Sequence, residues 1–241
     1  MILTQNERGE VLRSQLLAEI PSIDHYASCR SCQAPAEGVW LPRQVHGTDI
    51  VLLDDTLRDR CLQEQDLVVE ADAVVTRLAG QWIGVRTADC VPVLLADPVQ
   101  GVVAAVHAGW RGTVRHIARL TVAMMTETMG CRPSDIRAAI GPSISPEAFE
   151  VGEEVAAAFA EAGRGSCVLR EIWGERGRQP LRKPHVDLWQ SNVMDLLEAG
   201  LELDHIDCSP CCTMAHVDHF YSARSEGIGT GRIVSAIKLQ C

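Results

Sequence analysis

No stretch of this 241-residue chain holds the roughly 18 consecutive apolar residues that a membrane-spanning helix needs. The best apolar runs, Val91 to Ala96 and Val102 to Val106, have the length of buried strands. Excess positive charge is lacking too. With 22 Lys and Arg against 32 Asp and Glu, the net charge of −10 repels phosphate backbones and anionic lipid surfaces, so neither nucleic acid nor membrane is expected as a partner. Glu7, Arg8 and Glu10 interrupt the opening residues where an export signal needs an uninterrupted apolar stretch, which predicts a cytoplasmic location. Internal repeats and low-complexity tracts are missing. So is a phosphate-cradling glycine loop, because Gly227-Ile-Gly229-Thr-Gly231 precedes a strand instead of opening a helix and reads as a turn.

What is present is a globular composition, 46% hydrophobic and 22% charged, long enough to bury a full core as one compact domain. Val39 to Leu41, Ile50 to Leu53, Ala71 to Thr76, Trp82 to Thr87, Val91 to Ala96 and Val102 to His107 read as strands. Val114 to Met129 keeps a helical period and Gly130 stands where a C-cap belongs. Ile136 to Ile140 reads as a strand, Gly152 to Ala162 as a helix, and Asp187 as the cap of a helix whose core face is Leu188, Val193, Leu196 and Leu197. His219 to Ala223 and Arg232 to Leu239 read as closing strands, Val11 to Glu19 as an amphipathic helix, Ser28 to Gly38 as irregular, and 163–184 as a long surface connection. Strand runs with isolated helices and no regular βαβ alternation predict an α+β fold with mixed sheets.

Three polar residues end otherwise apolar stretches: His46, Cys90 and His107, spaced 44 and 17 residues apart. That is too wide for a zinc finger but natural for a site assembled from several strands. Two imidazoles and a thiolate leave a fourth zinc position open, the arrangement of catalytic zinc, although each residue could equally be a satisfied core group. A metal-free rival uses Cys90 as a nucleophile deprotonated by His107, with Asp89 or another carboxylate orienting the imidazole. A second cluster, Cys208, Cys211, His216 and His219, is a local metal candidate; the 175 residues between it and Cys29 and Cys32 argue against pairing them as a zinc ribbon. Arg111 and Arg224 are anion candidates set against a bland reading as solvated surface charges.

Together, Gln44-Val-His46-Gly, Ala71-Asp-Ala-Val-Val-Thr76, Thr87-Ala-Asp-Cys90-Val-Pro-Val, Ala105-Val-His107-Ala-Gly-Trp-Arg-Gly112, Ile140-Gly-Pro-Ser-Ile144, Phe149-Glu-Val-Gly152, Cys212-Thr213 and Phe220-Tyr-Ser-Ala-Arg224 resemble, in order and spacing, the YfiH-like laccase-domain family. Its members are also called multicopper polyphenol oxidase-like proteins, purine nucleoside phosphorylases and peptidoglycan editing factors. The resemblance implies a single α+β domain of layered mixed sheets flanked by helices over residues 39–241, after a divergent, shortened segment 1–38. It implies a zinc site on His46, Cys90 and His107, which also carry catalysis, with copper as the alternative metal and Arg30, Arg111 and Arg224 binding substrate. The activity implied is phosphorolysis of adenosine, inosine and methylthioadenosine, with adenosine deamination beside it. The substrate partners are then a purine nucleoside and phosphate. Alternatives are a peptidoglycan-precursor amidase using the same zinc or the Cys90/His107 pair, a copper-dependent polyphenol oxidase, and a degenerate binding protein. Eight histidines without a His-x-His pair argue against several coppers.

Overall fold

Val91–Asp97 and Val102–Ala108 are strands buried at every position, which demands a packed layer on each face. The computed structural model in which this is seen describes the chain except residues 34–35, 65, 175–176 and 209–210 and the side chains of 173–174 and 177–178. In chain order the strands are β1 (Ile2–Asn6), β2 (Gly9–Arg13), β3 (Ile23–Ser28), β4 (Val39–Trp40), β5 (Ile50–Leu53), β6 (Ala73–Thr76), β7 (Trp82–Thr87), β8 (Val91–Asp97), β9 (Val102–Ala108), β10 (Arg137–Ile140), β11 (Val168–Gly174), β12 (Gly177–Val186), β13 (Ile206–Cys208) and β14 (Ile233–Leu239). The helices are α1 (Gln15–Ala18), α2 (Asp55–Gln63), α3 (Trp110–Thr113), α4 (Ile117–Met129), α5 (Glu153–Glu161), α6 (Leu188–Glu198) and α7 (Ala223–Glu226).

One sheet has the order β1-β2-β3-β14-β7-β4 and the other β13-β10-β8-β9-β6-β5, with β11 and β12 forming a separate ribbon. The pairs β4·β7, β5·β6 and β10·β13 are parallel and the others antiparallel, so the sheets are mixed and the fold is α+β, as the sequence predicts. Alternation along the strands sorts the core. Val74, Leu94, Ala96, Val103 and Ala105 meet Ile83, Val85, Ile237 and Leu239 of the other sheet. Their neighbours Val75, Val93, Leu95, Ala104 and Val106 pack against Ile117, Val122 and Met125 of α4, Phe159 of α5 and Leu196 of α6. Each fully buried Val, Leu, Ile, Met or Phe among them contributes about 1.5–3 kcal/mol relative to exposure.

Local signals hold where they are strongest. Gly130 ends α4 at φ 73° and the Asp187 carboxylate accepts from the Gln190 amide at 2.8 Å to open α6. Three expectations fail. Of the predicted Val11 to Glu19 helix only α1 is helical; Val11 and Leu12 lie in β2 and enter different apolar clusters, so the two-residue period of a strand overrides the helical one. The predicted connection over 163–184 contains β11 and most of β12, paired as a two-stranded ribbon that includes Pro180 and Pro184, the Pro184 carbonyl accepting from the Val151 amide at 2.9 Å, while 175–176 lie outside the described residues. No strand forms over His219 to Ala223: the Ser222 hydroxyl accepts from the Ser225 amide at 3.2 Å and starts α7 instead.

Candidate metal centre and its cavity

His107 is the penultimate residue of β9, Cys90 immediately precedes β8, whose Pro92 stands in register with His107, and His46 comes from the loop between β4 and β5. Their ligand atoms lie within 4.8 Å of one another, so the three residues that stand far apart in the chain converge. The two imidazoles pack edge to face with centroids 4.9 Å apart.

The convergence is organised by a residue that the motif reading did not single out. Asp72, fully buried just before β6, accepts the amides of Val45, His46 and Gly47 at 3.3, 3.0 and 2.6 Å. The same carboxylate meets His107 Nδ1 at 2.7 Å. A carboxylate can only accept here, so Nδ1 carries a proton and Nε2 is the nitrogen left to face a ligand. The available signal was a lone carboxylate at the head of the apolar run Ala73–Thr76, which has no reason to be buried unless it is bonded.

The backbone around these ligands is strained. His46 and Asp89 have φ of 61° and 87°, in the region that ordinarily favours glycine. Asp89 is held there by the Thr213 hydroxyl at 2.6 Å and the Arg224 amide at 2.7 Å, and its carbonyl accepts from the Ile144 amide at 3.0 Å. It therefore fixes the turn that presents Cys90. The carboxylate orienting the imidazole is Asp72, not Asp89 as the metal-free reading suggested by name.

Electrostatics agree with the geometry. Burial alone would raise the Cys90 thiol, but His107 and His46 outweigh it and bring it below the ordinary thiol range. Burial would lower His107, and Asp72 and Cys90 instead raise it. Burial would raise Asp72, yet the bonds from His107 and the Gly47 amide leave it below the usual carboxylate range. The donor set suits a metal in chemistry and in space. A Cβ at Gly109 would stand 3.1 Å from Cys90 Sγ, 3.3 Å from His46 Cδ2 and 3.7 Å from His107 Cε1, so glycine keeps the centre open.

The three residues lie in the wall of an open cavity of about 570 Å³, with Gln44, Arg43, Arg86 and Arg232 also lining it. Arg30, Arg111 and Arg224 are not among its lining residues. Arg30 bonds Glu226 and the Phe220 carbonyl and lies over Tyr221. Arg111 lies over Trp110, and Arg224 bonds the Glu150 carbonyl and lies over Phe149. Cys208, Cys211, His216 and His219 are not gathered into a ligand group among the described residues, and 209–210 lie outside them. A second group, Glu202, Asp204 and His205, does gather, but Arg137 Nη1 stands 2.8 Å from His205 Nδ1.

Residues 25–240 match the family model described as multi-copper polyphenol oxidoreductase laccase. The chain belongs to this family. Within the laccase family it is 42% identical over 208 residues to a protein of Bacteroides thetaiotaomicron named purine nucleoside phosphorylase, covering 86% of this chain and 75% of that one. It is 40% identical over 200 residues to a protein named adenosine deaminase RL5, from an unknown prokaryotic organism, covering 82% and 73%. Among solved structures, YlmD from Geobacillus stearothermophilus superimposes with a TM-score of 0.82 at 26% identity, covering 100% of this chain and 99% of that one. Among the described residues no helix is long and apolar enough to cross a membrane.

Proposed function

We propose that this chain is a purine nucleoside phosphorylase, converting adenosine, inosine and methylthioadenosine to free base and ribose 1-phosphate, with zinc at His46, Cys90 and His107. The observation that carries this reading is the convergence of these three residues in the wall of a 570 Å³ cavity. The kinship with a protein named purine nucleoside phosphorylase supports it. Adenosine deamination is a side activity of the same site, supported by the relative named adenosine deaminase. A cytoplasmic location would keep the Cys90 thiolate reduced.

In phosphorolysis a phosphate oxygen forms a bond to C1′ of the ribose while the glycosidic C–N bond breaks. The electron pair leaves with the purine, which takes up a proton. Asp72 holds His107 in the tautomer that directs Nε2 at the ligand position and, through three amides, holds the His46 loop in place. Cys90, with its pKa lowered by both imidazoles, offers a thiolate. A zinc ion bound by this set would supply Lewis acidity. The arginines of the cavity offset the cost of bringing an anion to a protein of net charge −10.

The test is phosphate-dependent release of base from the three nucleosides by the purified protein beside Cys90→Ala, with bound metal quantified in both. Release that needs phosphate, and vanishes together with zinc in Cys90→Ala, is expected. No release by zinc-loaded wild type overturns the reading.

A further inference from the structure

The cavity that holds His46, Cys90 and His107 has an unusual charge balance for this chain. Three arginines line it, Arg43, Arg86 and Arg232, and no carboxylate does among the described lining residues, although the chain carries 32 Asp and Glu. Two of the three guanidiniums are already engaged. Arg43 faces Glu70 at 3.4 Å, and Arg232 donates to the carbonyls of Ile228 and Gly231 at 2.9 Å each and to that of Thr230. Arg86 differs: its guanidinium is exposed and has no hydrogen bond, ion pair or ring contact among the described residues.

What Arg86 does have is a fixed backbone. Its amide donates to Gln44 Oε1 and its carbonyl accepts from Gln44 Nε2, both at 2.8 Å, and it stands in register with Val234 of β14. Gln44 is two residues before His46, and Arg86 is four residues before Cys90. One side-chain amide thus ties together the two segments that present the thiolate and an imidazole, and the free guanidinium is anchored to that same frame. A guanidinium fork bonds two oxygens of a phosphate at once, which a point charge cannot do.

We propose that Arg86 is the residue that binds the phosphate co-substrate, and that it sets the affinity for phosphate without setting the affinity for nucleoside. The role of that phosphate as co-substrate rests on the phosphorylase reading; the anion site itself rests on the charge and bonding of the cavity. Arg30, Arg111 and Arg224, the arginines singled out by motif, do not line this cavity.

Binding of inorganic phosphate to the metal-loaded protein, followed by titration calorimetry, tests the site without turnover. Arg86→Gln should weaken phosphate about tenfold or more, the loss of a charge-assisted bond. Arg86→Lys should recover part of the loss, Arg43→Gln should weaken phosphate less, and the melting temperature should not move. In steady state, the phosphate KM should rise in Arg86→Gln with the nucleoside KM unchanged. Wild type that binds no phosphate, or Arg86→Gln that binds it equally well, overturns the proposal. Adenosine 5′-monophosphate in the same titration separates the two sources of the anion: binding of the nucleotide through Arg86 without binding of free phosphate also overturns it. Phosphate binding that depends on Arg86 in a protein that releases no base upholds the anion site and removes the phosphorylase reading alone.

Discussion

Asp72 holds His107 from both ends: its carbonyl accepts the His107 amide and its carboxylate meets Nδ1, each at 2.7 Å. The backbone and the ring of one ligand are thereby positioned by a single residue, which also collects the three amides around His46.

Asp72→Asn keeps the shape and removes the charge. Partners of this kind typically govern metal affinity about 10- to 100-fold. We expect a weakening of zinc of that size, measured by competition with a chromophoric chelator. Affinity equal to wild type would show that the carboxylate does not tune the centre.

Gly109→Ala separates space from backbone. Gly109 has φ −68° and ψ 166°, which alanine adopts freely, and a compatible Gly→Ala change is stabilising by about 0.4–1 kcal/mol. The added methyl, however, stands 3.1 Å from Cys90 Sγ. Bound metal and turnover should fall while the urea midpoint stays level or rises. Full metal occupancy in the variant would refute the crowding argument.

A pH effect on stability is expected far from the centre. His25 is buried, with Nε2 accepting from the Ser14 amide at 2.8 Å. Burial and the nearby Arg13 lower its pKa from 6.5 to about 4, against the opposing pull of Asp24 and Asp207. Between pH 6.5 and 4 the unfolded chain therefore binds a proton that the folded chain refuses. The stabilising contribution is complete above pH 6.5 and is lost as the pH falls towards 4, on the order of 3 kcal/mol in all. Urea unfolding at pH 7 and pH 4.5 should show a smaller loss in His25→Gln than in wild type; equal losses would be inconsistent with a neutral His25.

Two arginine pairs should differ sharply in worth. Arg164, 4% exposed, donates to fully buried Asp195 at 2.5 Å, and Asp195 also meets His116 Nδ1 at 2.8 Å. Removing one partner of a buried pair costs about 3–5 kcal/mol, so Arg164→Ala should lower the unfolding free energy by that order. Arg170, paired with Glu153 in solvent at 2.7 Å, should cost under about 1 kcal/mol as Arg170→Ala. Similar losses in the two variants, read by urea denaturation, would contradict this ranking.

Much of the centre was legible from residue type and position. His46, Cys90 and His107 each end an apolar stretch, and polar groups at such places are either bonded or functional. The motifs also carried the family. Arg30, Arg111 and Arg224 were read from the same motifs, but arginine side chains are long, and the direction each takes is decided by neighbours such as Glu226, Trp110 and Glu150.

By itself the sequence determined the α+β class, strands β7 to β9, helices α4 and α6 and their caps, because period, run length and capping are local properties of the chain. Tertiary structure alone decided that β1 and β2 are strands and that 168–186 is largely a ribbon, since pairing partners outweigh weak local preference. It also decided the parts of the centre that span the chain. Asp72 reaches 26 residues to the His46 amide and 35 to the His107 ring, and Gln44 reaches 42 to Arg86. Those bonds exist only because β6 pairs with β9, β4 pairs with β7, and the loop between β4 and β5 crosses from one sheet to the other, and nothing in the local chemistry of any one segment specifies them.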